Sequence, residues 1–372
     1  MTACVARPTL ALPPYEVTTP EIIDDISARH GAHAKLRTIQ RVLGRIGVDT
    51  RRMTRPLTDR TVSGDARITD RNATAYQDAL GQAVRAANGA LSDSGLTPHS
   101  VDALVTSHTT SWTCPGLDVD LINEIGLRPT VTRIPLSTLG CAGGAHALVT
   151  AADHVAAHPG HTVLVVVAET LSTVYNHRDT SVESMIYKAL FGDSAAATLV
   201  SGRPYGPGFT IEATWEYVLP HSTDRYKGRL DGDGLHFDSD SKAVGAVAEI
   251  MPELRRWLTE TGHGTHPPQW AAVHAGGPRI LTAAAEGLGL ADTDLRHSWN
   301  SLREYGNLGG ASVLDVLART HTQPPADGAK GVLLAFGPGF VGAAAAGEFR
   351  TGQAGPGRDI GGRTAGTDTL GP

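Results

Sequence analysis

Cysteine is scarce in this 372-residue chain: only Cys4, Cys114 and Cys141 occur. So sparse and odd a set excludes a disulfide framework and fits a reducing compartment. Long apolar runs are also missing. The most apolar stretches, such as residues 163–168, are strand-sized and far too short to cross a bilayer, so no membrane role is expected. Residues 1–14 lack a basic segment followed by an apolar run, which excludes a secretory signal and makes a cytoplasmic location the expectation. There is no excess of positive charge, since 32 Lys and Arg stand against 38 Asp and Glu for a formal charge of −6. That balance argues against nucleic acid as a partner. What is present is ordinary for a globular protein: 41% hydrophobic and 19% charged residues, on a length that suffices for one large domain or two fused ones.

Strand and helix patterns alternate along the chain. Leu80, Ala83, Val84, Ala87 and Leu91 recur at helical spacing, predicting a helix over 73–91 with Asn72 or Thr74 as its cap. Strands are expected at 101–107, 131–136 and 162–168, the last apolar enough to be covered on both faces. A small-residue helix should open at Cys141 and run to Ala157, and a further strand should occupy 190–200. The second half repeats this grammar, with helices over 246–259, 278–288 and 311–320 and buried strands at 270–274 and 331–336. Two related βα-rich halves around shared sheets follow, 1–205 and 206–350, although no direct sequence repeat is visible. Residues 351–372 are rich in Gly and Thr and nearly free of large apolar side chains, which predicts a disordered tail.

Three segments each set one reactive side chain among small residues where a strand passes into a turn or helix. They are Leu139-Gly140-Cys141-Ala142-Gly143-Gly144, Val273-His274-Ala275-Gly276-Gly277-Pro278 and Glu304-Tyr305-Gly306-Asn307-Leu308-Gly309-Gly310-Ala311. Small neighbours allow a sharp turn and close approach of a substrate, and a helix N-terminus favours a thiolate. Each residue alone has a plainer reading. A lone Cys is usually a small core residue, one of 16 histidines is seldom catalytic, and Asn often caps a helix or sits in a turn. Three such junctions together point to one site able to form carbon–carbon bonds on a thioester.

With Ala189-Leu190-Phe191-Gly192-Asp193 and the loop Phe336-Gly337-Pro338-Gly339, these segments make five ordered motifs. Over residues 41–349 the chain resembles the bacterial type III polyketide synthases, the chalcone synthase-like branch of the thiolase-fold condensing enzymes. The resemblance implies an α/β, thiolase-like fold, in which the two pseudo-repeated βα halves form a layered αβαβα core. It implies catalysis by Cys141, His274 and Asn307, with no metal or redox cofactor. Cys141, as a thiolate paired with the His274 imidazolium, would take an acyl group from a coenzyme A thioester. His274 and Asn307 would stabilise the enolate left by decarboxylation of malonyl-CoA. The substrates implied are therefore an acyl-CoA starter and malonyl-CoA, the assembly a homodimer, and the product a small pyrone or resorcinol-type ring.

Further positions follow from the same resemblance. Phe191 and Phe237 would flank the cavity entrance, with Thr109, Val174, Tyr187 and Gly309 in its wall. Val174 and Tyr187 would narrow the pocket, limiting extension to a tri- or tetraketide, while Gly309 would open space near Asn307. Trp112 and Cys114 lie on the stretch that would reach across the dimer, and Phe336 to Gly339 (with Gly337 and Pro338) would border the cyclisation pocket. Arg41 and Arg45, with Gly276 and Gly277, would receive coenzyme A; a third basic position falls on Thr38. Two alternatives stand beside this reading. One is a ketoacyl synthase III-like enzyme taking an acyl carrier protein, which would show Gln-Ala after the His. The other is a non-catalytic acyl-binding scaffold, which would have lost one of the three residues.

Overall fold

The computed structural model describes residues 2–240 and 242–352. All but Thr351 and Gly352 of the expected tail therefore lie outside the described residues. The chain begins with β1 (Ala3–Val5), β2 (Thr9–Ala11), β3 (Tyr15–Thr18), α1 (Thr19–Arg29), α2 (Leu36–Leu43), β4 (Thr50–Met53) and α3 (Arg60–Ser63). Next come α4 (Ile68–Asp93), β5 (Ala103–His108), α5 (Leu117–Ile125), β6 (Thr132–Ser137), α6 (Gly143–Ala157) and β7 (Thr162–Glu169). Then follow α7 (Val182–Leu190), β8 (Ser194–Ser201), β9 (Gly208–Val218), β10 (Tyr226–Asp231), β11 (Gly234–Ser239) and α8 (Ala243–Glu260). The last elements are β12 (Trp270–Val273), α9 (Pro278–Leu288), α10 (Arg296–Tyr305), α11 (Ser312–Thr322), β13 (Ala329–Gly337) and β14 (Val341–Arg350).

Strands pair in the order β12-β13-β14-β9-β1-β8-β7-β5-β6, with β2 also on β8, so one sheet system runs through both halves. The strands are apolar on both faces because each face meets a different core. Val163, Val165 and Val167 of β7 turn inward, while Leu164, Val166 and Ala168 face the α4 and α5 side. In β13, Leu333 and Ala335 turn inward and Val332, Leu334 and Phe336 face α8 and α9. The inner core belongs to α6 and α11, whose Ala145, Leu148, Ala152, Val313, Leu314 and Leu317 are fully buried. Helix, sheet, helix, sheet, helix is the resulting order of layers, the thiolase-like αβαβα arrangement.

Some boundaries differ from expectation, for local reasons. Helix α4 starts at Ile68 after Arg67, not at 73. Asn72 cannot cap it, because its side chain is spent on Trp112: Oδ1 accepts from the Trp112 amide at 2.8 Å and Nδ2 donates to its carbonyl at 2.9 Å. Residues 190–193 are not strand; α7 runs to Leu190 and β8 starts at Ser194.

A repeat that leaves only four residues of matching sequence, Leu-Gly-Cys-Ala at 139–142 and Leu-Gly-Gly-Ala at 308–311, appears in the backbone. A short 3₁₀ turn over Gly140–Ala142 leads into α6, and another over Gly309–Ala311 leads into α11. Gly140 (φ +52°) and Gly309 (φ +59°) both take the left-handed conformation that L side chains adopt only at a cost. Leu139 and Leu308 precede them with φ −90° and −86°. The two turns pack on each other so closely that a Cβ on Gly144 would lie 2.2 Å from the Gly310 carbonyl oxygen. Gly144→Ala must therefore separate two backbones. We expect a loss of about 1–3 kcal/mol, read as a lower denaturation midpoint. Gly160→Ala, where a Cβ meets open space, should stay within about 0.5 kcal/mol of the parent.

Candidate active site

The two turns set Cys141 and Asn307 side by side. Cys141 is buried at the middle of the first turn. Asn307 precedes the second, and its backbone is stapled to the Phe191 segment: its amide donates to Leu190 O at 2.8 Å and its carbonyl accepts from Gly192 N at 3.1 Å. That contact needs Gly192 and Gly306, since a Cβ on either would fall 2.4 Å from a backbone carbonyl, that of Tyr305 or Leu190. Asp193 then pins the segment by accepting from the amides and hydroxyls of Ser172 and Thr54.

Asn307 Oδ1 accepts from Gly309 N at 2.9 Å, which turns Nδ2 toward Cys141 Sγ at 3.5 Å. His274 directly follows β12, its amide donating to Leu334 O at 3.0 Å, and Ser312 Oγ holds the next amide, Ala275 N, at 2.7 Å. His274 Nδ1 accepts from Phe336 N at 3.3 Å. In the neutral ring the proton therefore sits on Nε2. That nitrogen lies where a Cβ on Gly276 would approach within 2.4 Å, so only glycine leaves it uncovered.

Cys141, His274 and Asn307 line one cavity of about 600 Å³. Of the other positions singled out from the sequence, Arg41, Arg45, Tyr187, Phe191, Gly276, Gly277 and Phe336 line it too. Phe237 stands behind the wall, its ring 5.6 Å from Phe191 and 6.4 Å from Tyr187. Thr109 and Trp112 line a separate cavity of about 320 Å³. Thr109 connects the two regions, for its Oγ1 accepts from Gly140 N at 3.1 Å.

Other placements depart from expectation. Val174 lines neither cavity and belongs to the hydrophobic core. Gly309 does not open space: an added Cβ would meet Leu171 at 3.1 Å and Glu169 at 3.3 Å, so the glycine serves backbone conformation and packing. Gly337 and Pro338 pack beneath the Cys141 turn, against Leu139, Ala142 and Gly140, instead of bordering the pocket. Gly339 donates from its amide to Tyr226 O at 3.0 Å. Cys114 is exposed and lines neither cavity. Thr38 lies elsewhere, beside His33 and Lys35.

Sequence reasoning missed Tyr226 and Arg279, which also line the large cavity. Arg279 was discoverable, since it follows Gly276-Gly277-Pro278 in the first turn of α9. Tyr226 sits at the start of a two-stranded ribbon with no motif around it. Arg41, Arg45 and Arg279 are exposed and mark the open end of the cavity. Other arginines are paired, as Arg52 is with Glu16 and Arg29 with Asp25; these three have no carboxylate partner among the described residues.

The electrostatics overturn one expectation. Burial pushes the Cys141 thiol up to about 11, assisted by the nearby Glu169 carboxyl and opposed by hydrogen bonds from Asn307 and Tyr226. Burial likewise lowers His274 to about 4. Those values leave each neutral at pH 7, so burial outweighs the helix N-terminus at the thiol. An ion pair can form there only when both charges appear together and offset each other's desolvation. Glu169 is raised to about 8 by its own burial, which keeps it an uncharged acid at neutral pH.

The comparisons with known proteins agree with this architecture. The sequence pattern of the chalcone and stilbene synthase N-terminal domain matches residues 20–204, and that of the C-terminal domain matches residues 210–344. The 1,3,6,8-tetrahydroxynaphthalene synthase of Streptomyces coelicolor is 32% identical over 91% of this chain and 90% of its own length. Its crystal structure, described as that of a bacterial type III polyketide synthase, superposes with a TM-score of 0.90 over 94% of this chain and 99% of that one. Phloroglucinol synthase of Pseudomonas fluorescens is 28% identical over 92% of this chain and 98% of its own. The molecule is thus an acyltransferase of the condensing class. More particularly, it belongs to the chalcone and stilbene synthase family and is a type III polyketide synthase, catalysing decarboxylative condensation.

The raised thiol pKa has a direct test. Below about 11 the thiol is protonated, so the reactive thiolate fraction should grow about tenfold per pH unit from 7 to 10. Iodoacetamide alkylation of Cys141, followed by peptide mass spectrometry, should rise accordingly, and Asn307→Ala should slow it at every pH. A rate flat down to pH 6 would show a preformed ion pair instead.

Proposed function

We propose that this synthase loads a short acyl group from an acyl-CoA starter onto Cys141, extends it with malonyl-CoA, and releases a small aromatic or pyrone ring. The observation that carries the reading is the Asn307 amide nitrogen 3.5 Å from Cys141 Sγ, in a cavity that His274 also lines. Attack by Cys141 on the starter thioester sends the Sγ proton to the departing coenzyme A sulfur, because His274 Nε2 already carries a proton and Nδ1 is taken by Phe336 N. The carbon–sulfur bond to coenzyme A breaks as the new thioester forms, so neither buried group is left charged. In the next step the Nε2–H of His274 and the Nδ2–H of Asn307 hydrogen-bond the malonyl thioester oxygen. Loss of carbon dioxide leaves an enolate whose negative charge rests on that oxygen. Its carbon attacks the Cys141 thioester, and the thiolate departs. Both donors are pre-oriented by their far atoms, Nδ1 on Phe336 N and Oδ1 on Gly309 N, so no reorganisation accompanies charge development. The reaction as written uses no metal or redox cofactor.

Arg41, Arg45 and Arg279 supply unneutralised cations at the open end, fit for the phosphates of coenzyme A. Tyr187 limits chain growth: its ring stacks on Phe191 at 5.2 Å and fills space beside the thiol. A second copy of the chain fits the exposed rim of the small cavity. Trp112 is 74% and Leu230 63% exposed there, next to β6, which among the described residues has a paired neighbour only in β5. A homodimer working in the cytoplasm, where free cysteines persist, completes the reading. A carrier-protein-dependent ketoacyl synthase III is less consistent, because Ala275-Gly276-Gly277 stands where Gln-Ala would follow the histidine.

Cys141→Ala should abolish product from malonyl-CoA. Arg279→Ala should raise KM for malonyl-CoA about tenfold, the loss of one charge-assisted hydrogen bond, with kcat little changed. Product masses with a panel of starters should stop at tri- or tetraketides and lengthen in Tyr187→Gly. Sedimentation of the parent should give a dimer, and Trp112→Asp should weaken it.

A further inference from the structure

The small cavity holds a second reactive pair. His108, the last residue of β5, and Ser111 both line it. His108 Nδ1 lies 2.6 Å from the Ala168 carbonyl oxygen, and Nε2 lies 2.6 Å from Ser111 Oγ. A carbonyl can only accept, so Nδ1 must carry the proton. The neutral ring then has its lone pair on Nε2, and the Ser111 hydroxyl donates to it. Burial keeps His108 below the ordinary imidazole range, hence unprotonated at neutral pH. A hydroxyl bonded to a basic nitrogen, with the ring's other nitrogen held by a fixed acceptor, is the geometry of an activated serine. Here a backbone carbonyl takes the orienting place of a carboxylate.

The surroundings suit acyl chemistry. Arg71 lines the same cavity; its guanidinium donates to the carbonyls of Thr61, Asp233 and Thr173. Burial lowers it only to about 10, so it stays positively charged at neutral pH in the wall of this cavity. Thr109 shares this wall and binds Gly140 N, one residue from the thiol.

We propose that His108 and Ser111 form a nucleophilic dyad that accepts an acyl group from a thioester and hydrolyses it. The serine proton passes to His108 Nε2 as Oγ bonds to the acyl carbon. The carbon–sulfur bond breaks, and the leaving thiolate takes the proton. Water then attacks the Ser111 ester, giving its proton to Nε2; the carbon–oxygen bond breaks and Ser111 is reprotonated. The net change is thioester plus water to carboxylic acid plus thiol. The substrate class rests on the thioester chemistry proposed for Cys141, but the dyad itself does not.

A Cys141→Ala background separates the two. In it, we expect hydrolysis of an N-acetylcysteamine acyl thioester, and a fluorophosphonate should label Ser111 in peptide mass spectra. Ser111→Ala should lower that hydrolysis at least tenfold and remove the label. His108→Gln can keep both hydrogen bonds, donating to Ala168 and accepting from Ser111, yet cannot take a proton. It should lose labelling while keeping the denaturation midpoint. With Cys141 intact, Ser111→Ala should consume malonyl-CoA at the parental rate and release less free acid, which identifies the Cys141-bound chain as the thioester source. If release is unchanged there while N-acetylcysteamine thioester hydrolysis falls, the source is free thioester. Absence of the Ser111 label in a folded Cys141→Ala protein, or full labelling in His108→Gln, would overturn the dyad.

Discussion

The contact between two glycine-initiated turns governs this molecule. Helices α6 and α11 can share the inner layer only if their leading turns touch backbone to backbone. Gly144 against the Gly310 carbonyl and Gly310 against the Gly140 carbonyl make that contact. Side chains at these places would push the helices apart and open the inner core. The same contact brings Cys141 and Asn307 together, from positions 166 residues apart in the chain. Chemistry and packing are therefore one constraint. The residues proposed to carry the reaction lie where the fold has no freedom to move them, which is how preorganised donors avoid a reorganisation cost.

Burial has a second consequence. A thiol raised to about 11 beside an imidazole lowered to about 4 is a poor ion pair at rest but a guarded one. The enzyme handles an enolate, which water would quench by protonation. A dry cavity protects that carbanion and also penalises a resident thiolate. Asn307 and Tyr226 partly offset the penalty through hydrogen bonds to the sulfur. Their contribution is largest when Sγ is negative, at loading and whenever the lengthened chain leaves it. Protection of the intermediate and activation of the nucleophile thus pull in opposite directions, and the hydrogen bonds reconcile them.

Much of the layer order could be read from the chain because strands such as residues 163–168 are apolar at every position, which only double coverage explains. That Cys141, His274 and Asn307 would gather in one cavity was readable for a similar reason: a polar group between glycines at a strand end has few structural uses. What escaped was set by partners distant in sequence. Asn72 has the chemistry of a cap, yet its amide is taken by Trp112. Gly309 looks like an emptied cavity position, yet its φ of +59° and its contact with Glu169 make it a packing residue. Tyr226 lies on a ribbon whose position depends on Phe237 stacking at 5.6 Å, and no local pattern encodes that. The internal duplication, expected from the alternating strands and helices, leaves little more than Leu-Gly-Cys-Ala and Leu-Gly-Gly-Ala in sequence and is carried by dihedral angles, with Cys141 in one copy opposite Gly310 in the other.

That last pairing bears on how asymmetry produces the site. Each half contributes the same device, a leucine, a left-handed glycine and a 3₁₀ turn feeding a central helix. If both turns carried a thiol, a second large side chain would enter the backbone contact that Gly310 makes with Gly140 and Val167. One half can therefore supply the nucleophile only if the other supplies space. The second half, relieved of a side chain inside its turn, places Asn307 just before it and His274 at the end of β12, both aimed at the cavity from outside the contact. The proposed division of labour between nucleophile and enolate stabiliser follows from packing two equivalent turns that cannot both be filled.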